Sequence, residues 1–289
     1  MLTIDVEDWF QVENFKPWIP FSTWPDRQPR VADNVRRLLD LFDEQALSQA
    51  GVRLSGTFFV LGWLAERMPE LVREIDRRGH EVASHGFGHE LCRNMSRETL
   101  GRDLVHSKRI LEDIIGKRVW GYRAPSFSID DQILDQIASV GYCYDSSYNS
   151  FALHGRYGKA DLSQYPKSGV AVQYSKHFYE LPVSNLSVFN RILPWGGGAY
   201  FRLMPFWVFR QGIRRITRSN GDYIIYIHPW EIDPDQPRVR QASLSRKLRH
   251  YSFLGRTEIK VKKMMRFFSE YSWISCRDYL MRKGVTIDH

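Results

Sequence analysis

Three carboxylates, Asp5, Glu7 and Asp8, stand where the first predicted strand, residues 1–6, ends. Alternate residues of a strand point to the same side, so Asp5 and Glu7 are expected to project together. Neighbouring carboxylates repel each other unless a cation or a shared proton lies between them. This segment therefore predicts a cation site or, alternatively, solvated acids with Asp8 capping the next helix.

Two histidines four residues apart, His85 and His89, follow the predicted strand 80–84. The glycines between them favour a loop over the His-Glu-x-x-His helix of zinc proteases. Two imidazoles and one carboxylate, with open coordination positions, are the ligand set of a catalytic Zn²⁺ or a similar divalent ion. The spacing predicts a metal held by His85, His89 and one carboxylate of the first strand.

An arginine and a third histidine lie at the ends of two further predicted strands. Arg123 closes the strand 119–123, and His228 closes the strand 222–228. An arginine keeps a neighbouring carboxylate ionised, and a histidine can act as a general acid. Each alone equally fits a surface arginine or a packed histidine. Together, the four groups at the carboxyl ends of four strands match the place where barrel active sites assemble.

The elements that must position these groups alternate between short β-branched or aromatic runs and longer amphipathic runs, which is typical of βα units. Residues 146–200, rich in Ser, Tyr, Gly and Pro, predict long loops with a strand, of the kind that serve a site. Further strands are predicted at 55–60, 141–144 and 178–183, and helices at 31–50, 66–78, 97–115, 241–251 and 258–271.

The composition is that of a folded globular chain: 289 residues, of which 43% are hydrophobic and 26% charged. Collagen-like, coiled-coil and disulfide-scaffold classes are excluded. The net charge of +8 is uneven, because residues 1–200 carry 23 basic and 25 acidic side chains and residues 201–289 carry 18 and 8. The basic last third predicts an anionic partner, with a merely solvated surface as the alternative.

Basic residues recur at helical spacing in this last third, a pattern that fits docking on an anionic membrane surface or, alternatively, simple solvation. Nucleic acid is not expected, because no helix-turn-helix, zinc-finger or RNA-binding signature accompanies the charge. The residues concerned are Arg210, Arg214, Arg215, Arg218, Lys260, Lys262, Lys263 and Arg266.

Cysteine usage and the first residues predict a cytoplasmic protein, peripheral at the inner membrane, unless a leader was removed. Cys92, Cys143 and Cys276 are odd in number and widely separated, so they form neither a disulfide framework nor a metal motif. The chain starts without a basic and then apolar leader pattern, and no run approaches the roughly 20 apolar residues of a spanning helix.

Five ordered motifs resemble those of the polysaccharide deacetylase (NodB-type carbohydrate esterase) family. They are Thr3-x-Asp5, His85-x-x-x-His89, Arg123-x-Pro125, Asp145 after Gly141-Tyr142, and Tyr226-x-His228. Longer segments at 5–10, 196–202, 228–231 and 250–258 resemble the branch associated with bacterial exopolysaccharide loci, which has its own C-terminal extension.

The resemblance implies an α/β fold, a distorted (β/α) barrel over residues 1–230, with a basic helical extension, 231–289, packed on it. It implies a metal-dependent N-deacetylase acting on an N-acetylated sugar of a bacterial glycan or lipid-linked oligosaccharide in exopolysaccharide biosynthesis. The metal, usually Zn²⁺, would be bound by His85, His89 and one carboxylate, for which Glu7 is preferred and Asp8 competes.

The resemblance also assigns roles around the metal. Asp5 would be the general base, held by Arg123, and His228 the general acid, oriented by Asp145. The Ser126 amide would stabilise the oxyanion. Tyr226 would line the acetyl pocket. Apart from the resemblance, Trp9, Trp195 and Trp230 are candidates for stacking on sugar rings, Trp230 among the substrate-binding residues, with core packing as the alternative for each. The roles that the resemblance implies are carried over only to the positions of this sequence that match the family motifs.

Some positions depart from the family pattern and keep other functions open. Val6 takes the place of a second aspartate, Gly86 replaces the Ser or Thr that usually follows the first histidine, and Tyr226 replaces a leucine. A catalytically weak glycan-binding or scaffold protein and a metal-free amidohydrolase acting on a small cyclic amide are therefore the alternatives.

Overall fold

The computed structural model describes residues 1–48, 54–151, 158–189 and 191–286. Its strands are β1 (Leu2–Val6), β2 (Thr57–Val60), β3 (Glu81–Ser84), β4 (Gly121–Tyr122), β5 (Tyr144–Asp145), β6 (Lys167–Ser168), β7 (Ala171–Ser175), β8 (Phe178–Glu180), β9 (Leu186–Val188), β10 (Arg191–Leu193) and β11 (Ile225–Ile227). Its α-helices are α1 (Val31–Ser48), α2 (Gly62–Arg67), α3 (Pro69–Arg77), α4 (Arg97–Ile115), α5 (Asp131–Ser139), α6 (Gly198–Leu203), α7 (Phe206–Asn220), α8 (Leu244–Tyr251), α9 (Leu254–Phe267) and α10 (Cys276–Arg282).

One curled sheet carries the site, with its described strands in the order β11-β1-β2-β3-β4-β5-β8-β7-β6. The pairs from β11 to β8 are parallel, and β7 and β6 add antiparallel strands at one edge. β9 and β10 form a separate hairpin. The predicted α/β fold with a distorted barrel is confirmed, and each of the seven predicted strands overlaps a strand of the structure.

The central strands are buried on both faces, as parallel strands flanked by helices require. β2 and β3 have no exposed residue, and β1 is wholly buried. The register aligns Asp5 with Phe59 and Phe59 with Ala83, so the three strands end at one level. Side chains that follow β1 and β3 are thereby delivered to the same edge of the sheet.

Two sequence predictions of secondary structure are wrong in detail. The helix predicted at 66–78 breaks at Met68, because Pro69 has no N–H to donate and instead begins α3 at its first turn. Residues 146–200 hold four short strands besides the predicted one. Strands of two to five residues in a Gly- and Pro-rich sequence give no clear alternating pattern, so the sequence did not predict them. The last two residues of the helix predicted at 31–50 lie outside the described residues.

The helical C-terminal part packs against the barrel through backbone hydrogen bonds at the start of β2. The Ser55 amide donates to the Trp273 carbonyl at 3.0 Å, and the Cys276 amide donates to the Thr57 hydroxyl at 2.8 Å. Arg30, before α1, pairs with Asp233 at 2.5 Å. None of the described helices is long and apolar enough to cross a membrane.

Candidate active site

Glu7, His85 and His89 form a buried cluster that could hold a metal ion, and it contains the two histidines whose spacing predicts such a site. Their ligand atoms lie within 4.8 Å of one another. Glu7 Oε1 is 2.9 Å from His89 Nε2 and 3.3 Å from His85 Nε2. His85 Nδ1 lies 2.7 Å from the Arg123 carbonyl oxygen, so Nδ1 carries the proton and Nε2 keeps its lone pair. The three groups together fit a divalent transition metal.

The loop after β3 owes its shape to left-handed backbone. Gly86 has φ of 72° and His89 has φ of 52°, which turn the chain so that both imidazoles return to Glu7. A Cβ at Gly86 would also lie 3.1 Å from an Asp103 oxygen. The glycine that departs from the family pattern is thus required by the local conformation.

Asp8, the competing carboxylate, faces away from the cluster. Its oxygens accept hydrogen bonds from the backbone amides of Trp9, Arg30 and Val31 at 2.7 to 2.9 Å. These bonds satisfy amides at the beginning of α1, where a capping carboxylate is favoured. Burial raises the pKa of Asp8 to about 6. Of the two carboxylates, Glu7 is the one that lies with the imidazoles.

Asp5 is held by a fully buried arginine. Arg123 Nη1 donates to Asp5 Oδ1 at 2.6 Å and to the Thr3 hydroxyl at 2.7 Å. The rest of the guanidinium donates to the carbonyl and hydroxyl oxygens of Ser146, each at 2.8 Å. Because every nitrogen of the guanidinium donates a hydrogen bond, Arg123 fixes the Asp5 carboxylate in place.

His228 faces both carboxylates from the opposite wall of the cleft. Its Nε2 lies 3.8 Å from Glu7 Oε1 and 3.9 Å from Asp5 Oδ2. Its Nδ1 lies 2.6 Å from Glu231 Oε1. Burial alone would lower the pKa of His228, but the carboxylates of Glu7, Glu231 and Asp5 raise it to about 9. The imidazole is therefore protonated at neutral pH and can donate from Nε2.

The prediction that Asp145 orients His228 is wrong, because Glu231 occupies that position. Asp145 accepts hydrogen bonds from the amide and hydroxyl of Ser147, at 2.9 and 2.7 Å. It pairs in register with Glu180 on the neighbouring strand, and burial raises the pKa of both carboxyls. Asp145 thus braces the loop behind Arg123, since the Ser147 hydroxyl accepts a bond from the Ala124 amide at 2.7 Å.

Glu231 is itself held by Arg202, a buried cation from α6. Arg202 Nη1 lies 3.0 Å from Glu231 Oε2, and both side chains are nearly inaccessible. Burial would raise the pKa of Glu231, but Arg202 and His228 lower it below its ordinary value. A carboxylate ionised in this way fixes the proton on His228 Nδ1 and aims Nε2 into the cleft.

The residues predicted to bind substrate all line the cleft, but their side chains differ in exposure to solvent. Ser126, with φ of 52°, and Tyr226 line it together with Phe127, whose ring meets Tyr226 edge-on at 4.8 Å. Trp230 also borders the cleft but is only 6% exposed. Its ring stacks on His228 at 5.1 Å and on His250 at 4.1 Å. The predicted stacking of Trp230 on a sugar is wrong, because two imidazoles already cover the ring.

Reasoning from the sequence missed Glu231, Arg202 and Phe127 as members of the site. Glu231 follows His228 by three residues, and the intervening Pro229 begins a single 3₁₀ turn that brings the two side chains together. That spacing was a usable signal. Arg202 ends segment 196–202, which resembles the exopolysaccharide branch, but only tertiary packing brings α6 to this turn and pairs Arg202 with Glu231.

Family models divide the chain near residue 145. Residues 23–144, which include His85, His89 and Arg123, match the polysaccharide deacetylase family. The family model thus finds a polysaccharide deacetylase domain in this segment, which is less than half of the chain. Residues 146–281 match a domain of unknown function, DUF3473, and the domain boundary predicted at residue 230 stays a prediction.

Curated relatives of this deacetylase domain match part of the chain. It is 30% identical to the peptidoglycan-N-acetylglucosamine deacetylase of Bacillus cereus over 43% of this chain and 52% of that protein. It is 30% identical to the peptidoglycan deacetylase of Helicobacter pylori over 40% and 38%. The chitooligosaccharide deacetylase of Sinorhizobium fredii is 31% identical over 31% and 42%. The chain thus spans about half or less of the length of these relatives.

Two solved structures have folds similar to that of this chain over nearly its whole length. A Mycobacterium smegmatis protein assigned to the polysaccharide deacetylases has a TM-score of 0.59 at 18% identity, over 100% of this chain and 92% of that one. The Xyl-CE4 domain of a xylanase from the hindgut metagenome of Trinervitermes trinervoides gives 0.50 at 12%, over 99% and 90%. At such identities the likeness shows the fold.

Proposed function

We propose that this protein is a metal-dependent N-deacetylase that removes the acetyl group from an N-acetylated sugar of a bacterial glycan. One observation carries the proposal. His228 Nε2 lies within 4 Å of both Glu7, in the two-histidine cluster, and Asp5, which Arg123 holds. A metal ligand set, a general base and a general acid thus converge on one small cleft, as hydrolysis of an amide requires.

A divalent metal, for which we propose Zn²⁺, would be held by Glu7, His85 and His89. When bound there, such an ion supplies Lewis acidity that polarises a carbonyl and makes water a stronger nucleophile. The second ring nitrogen of His85 is already oriented by the Arg123 carbonyl, and this hydrogen bond fixes its tautomer for coordination.

Asp5 and His228 divide the proton transfers between them. Asp5 accepts the proton of the attacking water, and the ion pair with Arg123 holds this carboxylate in position. The water oxygen bonds to the acetamide carbon, and the C–N bond to the sugar breaks. His228 donates the proton on Nε2 to the departing nitrogen, while Glu231 compensates the imidazolium charge. Acetate and a sugar amine are the products.

The cleft walls suit a small acyl group. Phe127 and Tyr226 present an apolar corner for the acetyl methyl, and Ser126 lies at the mouth, where its backbone N–H is proposed to stabilise the oxyanion. We propose an exopolysaccharide or its lipid-linked precursor as the substrate, which the resemblance of segments 196–202 and 228–231 to the exopolysaccharide branch supports.

Acetate release from N-acetylated oligosaccharides tests the proposal. Purified protein is assayed after zinc loading, after chelation and as the variants His85→Ala and Asp5→Asn. We expect turnover that chelation and both variants abolish, with folding unchanged by circular dichroism. Turnover that survives both chelation and His85→Ala would favour the metal-free amidohydrolase. A zinc-loaded, folded protein without turnover on any glycan would favour the scaffold.

A further inference from the structure

Two long runs of the chain contain no acidic residue. Residues 181–221 hold six arginines, and residues 236–257 hold five arginines and one lysine, with no Asp or Glu in either run. Elsewhere in the chain, acidic and basic residues are interspersed. Arg202 pairs with Glu231 outside these runs, and the other eleven cations create a positive potential wherever the two segments reach the surface together.

The fold brings the two runs onto one side of the molecule. Arg202 of α6 donates to the Arg249 carbonyl of α8 at 2.7 Å. Lys260 of α9 donates to the Phe201 and Met204 carbonyls at the end of α6. The guanidinium of Arg210 lies over the ring of Phe267, so α7 borders the end of α9. We call the outward surface of α6, α7, α8 and α9 the basic face.

Large apolar side chains are exposed on the basic face between the cations. Trp207 on α7 is 66% exposed and Leu248 on α8 is 58% exposed. Further exposed apolar members are Leu203, Leu244, Phe253 and Ile259. A surface that mixes arginines with an indole and aliphatic groups suits the boundary between lipid headgroups and acyl chains. Nucleic acid or an acidic polysaccharide would leave the aliphatic groups without a partner.

Some exposed cations of α7 and α9 lack acidic partners among the described residues, whereas others of α9 pair with α1. Arg214, Arg218 and Lys263 have no acidic group within 4.0 Å among the described residues. By contrast, Lys262 and Arg266 pair with Glu44 of α1. The prediction that Lys260, Lys262 and Arg266 meet a membrane surface stays a prediction, although Lys260 donates to backbone carbonyls and the other two pair with Glu44 at the protein surface.

We propose that the basic face binds the surface of an anionic phospholipid bilayer. The cleft opens beside this face, since Ala199 of α6 and Arg249 of α8 line both its rim and the face. Binding would therefore hold the cleft at headgroup level. That the cleft there receives a lipid-linked glycan rests on the proposed function. Membrane binding itself depends only on the charges and apolar groups of the face.

Vesicle co-sedimentation tests the proposal on the full chain. We expect binding to phosphatidylcholine vesicles that contain phosphatidylglycerol, no binding to phosphatidylcholine alone, and loss of binding at high salt. Arg214→Gln with Arg218→Gln should weaken binding about 30-fold, because each cation near an anionic surface contributes about 1 kcal/mol. The matched control is Arg102→Gln with Arg109→Gln, two exposed arginines of α4 that pair with acids and should not change binding.

A second double variant, Trp207→Ser with Leu248→Ser, separates a bilayer from other polyanions. It should lose vesicle binding while heparin binding stays unchanged. The proposal would be overturned if the wild type did not sediment with anionic vesicles at low salt. It would also be overturned if Trp207→Ser with Leu248→Ser bound the vesicles as well as the wild type does. Acetate release from a soluble oligosaccharide, measured on the same variants, should be unchanged. If the wild type releases no acetate, that result would count against the proposed function and would leave the membrane-binding proposal unaffected.

Discussion

Residues 1–145 and residues 146–286 contribute different chemistry to one cleft. The first region supplies the metal-binding cluster and the Asp5–Arg123 pair, all at or just after the ends of β1, β3 and β4. The second region supplies His228 and its support by Glu231 and Arg202, from a 3₁₀ turn and a short helix. The comparison teaches that the proposed metal ligands and the proposed proton donor lie on separate elements, so that we expect each to be disturbed without the other.

The two regions also differ in their surfaces. Exposed cations of the first region mostly pair with neighbouring acids, as Arg102 does with Glu98 and Lys117 with Asp76. The cations of the basic face do not. The first region therefore has a balanced surface around the barrel, and the second concentrates positive charge beside the cleft.

The largest expected effect is in the first region, on removing a metal ligand. His89→Ala or Glu7→Gln should abolish stoichiometric zinc, measured by plasma mass spectrometry, and lower activity by about 10⁴-fold. Asp8→Asn is the matched control. It should keep the metal and lose about 1 kcal/mol of stability, because it weakens the cap of α1. Loss of zinc in Asp8→Asn, with zinc retained in Glu7→Gln, would reverse the assignment of the carboxylate.

The second region should fail in a different way. His228→Ala should keep full zinc content and lower kcat by about 10²- to 10⁴-fold, the usual contribution of a general acid. Metal analysis and steady-state kinetics on the same sample check this separation. A variant that loses its zinc together with its activity would show that the two regions are not independent.

A smaller change is expected for the group behind His228. Glu231→Gln should lower kcat by about 10- to 100-fold, as second-sphere changes typically do. The Glu231 carboxylate raises the pKa of His228, so its neutralisation should shift the alkaline limb of the pH–rate profile to lower pH. Glu231→Asp should partly restore both. Asp145→Asn should leave the alkaline limb of the pH–rate profile unchanged. A shift of this limb in Asp145→Asn would show that Asp145 orients His228 after all.

The smallest effect is expected where the two regions meet, at Asp145 and Glu180. The pKa of Glu180 is raised well above 4.5 by burial and by Asp145, so the folded chain holds a proton that the unfolded chain releases. The stability from this proton is complete below pH 4.5 and is lost as the pH rises through the folded-state pKa. The loss is about 1.4 kcal/mol for each unit by which the pKa is raised.

Glu180→Gln removes this titration and should lose less stability than the wild type between pH 5 and pH 8, measured by urea unfolding. Glu98→Gln, at an exposed position of α4, is the control and should keep the wild-type pH dependence. Equal slopes for wild type and Glu180→Gln would show that the carboxyl is already ionised in the folded chain.

Much of the site could be predicted from the sequence because its members follow strands. Alternation along β1 places Asp5, and parallel strands deliver His85 and Arg123 to the same edge. The sequence could not decide between Glu7 and Asp8, because the chain leaves the regular strand after Val6 and alternation ceases to apply. The hydrogen bonds that draw Asp8 to α1 exist only in the folded chain.

The sequence alone determined the fold class, the order of the chemically active groups along the strand ends and the excess of positive charge in the last third. Only the tertiary structure decided which groups meet. Asp145 follows the expected strand but pairs with Glu180, since β8 lies beside β5, and Glu231 reaches His228 because one 3₁₀ turn folds back. The local sequence pattern specifies which way each side chain points along one strand. The residues that a side chain contacts depend on elements that are distant in the chain.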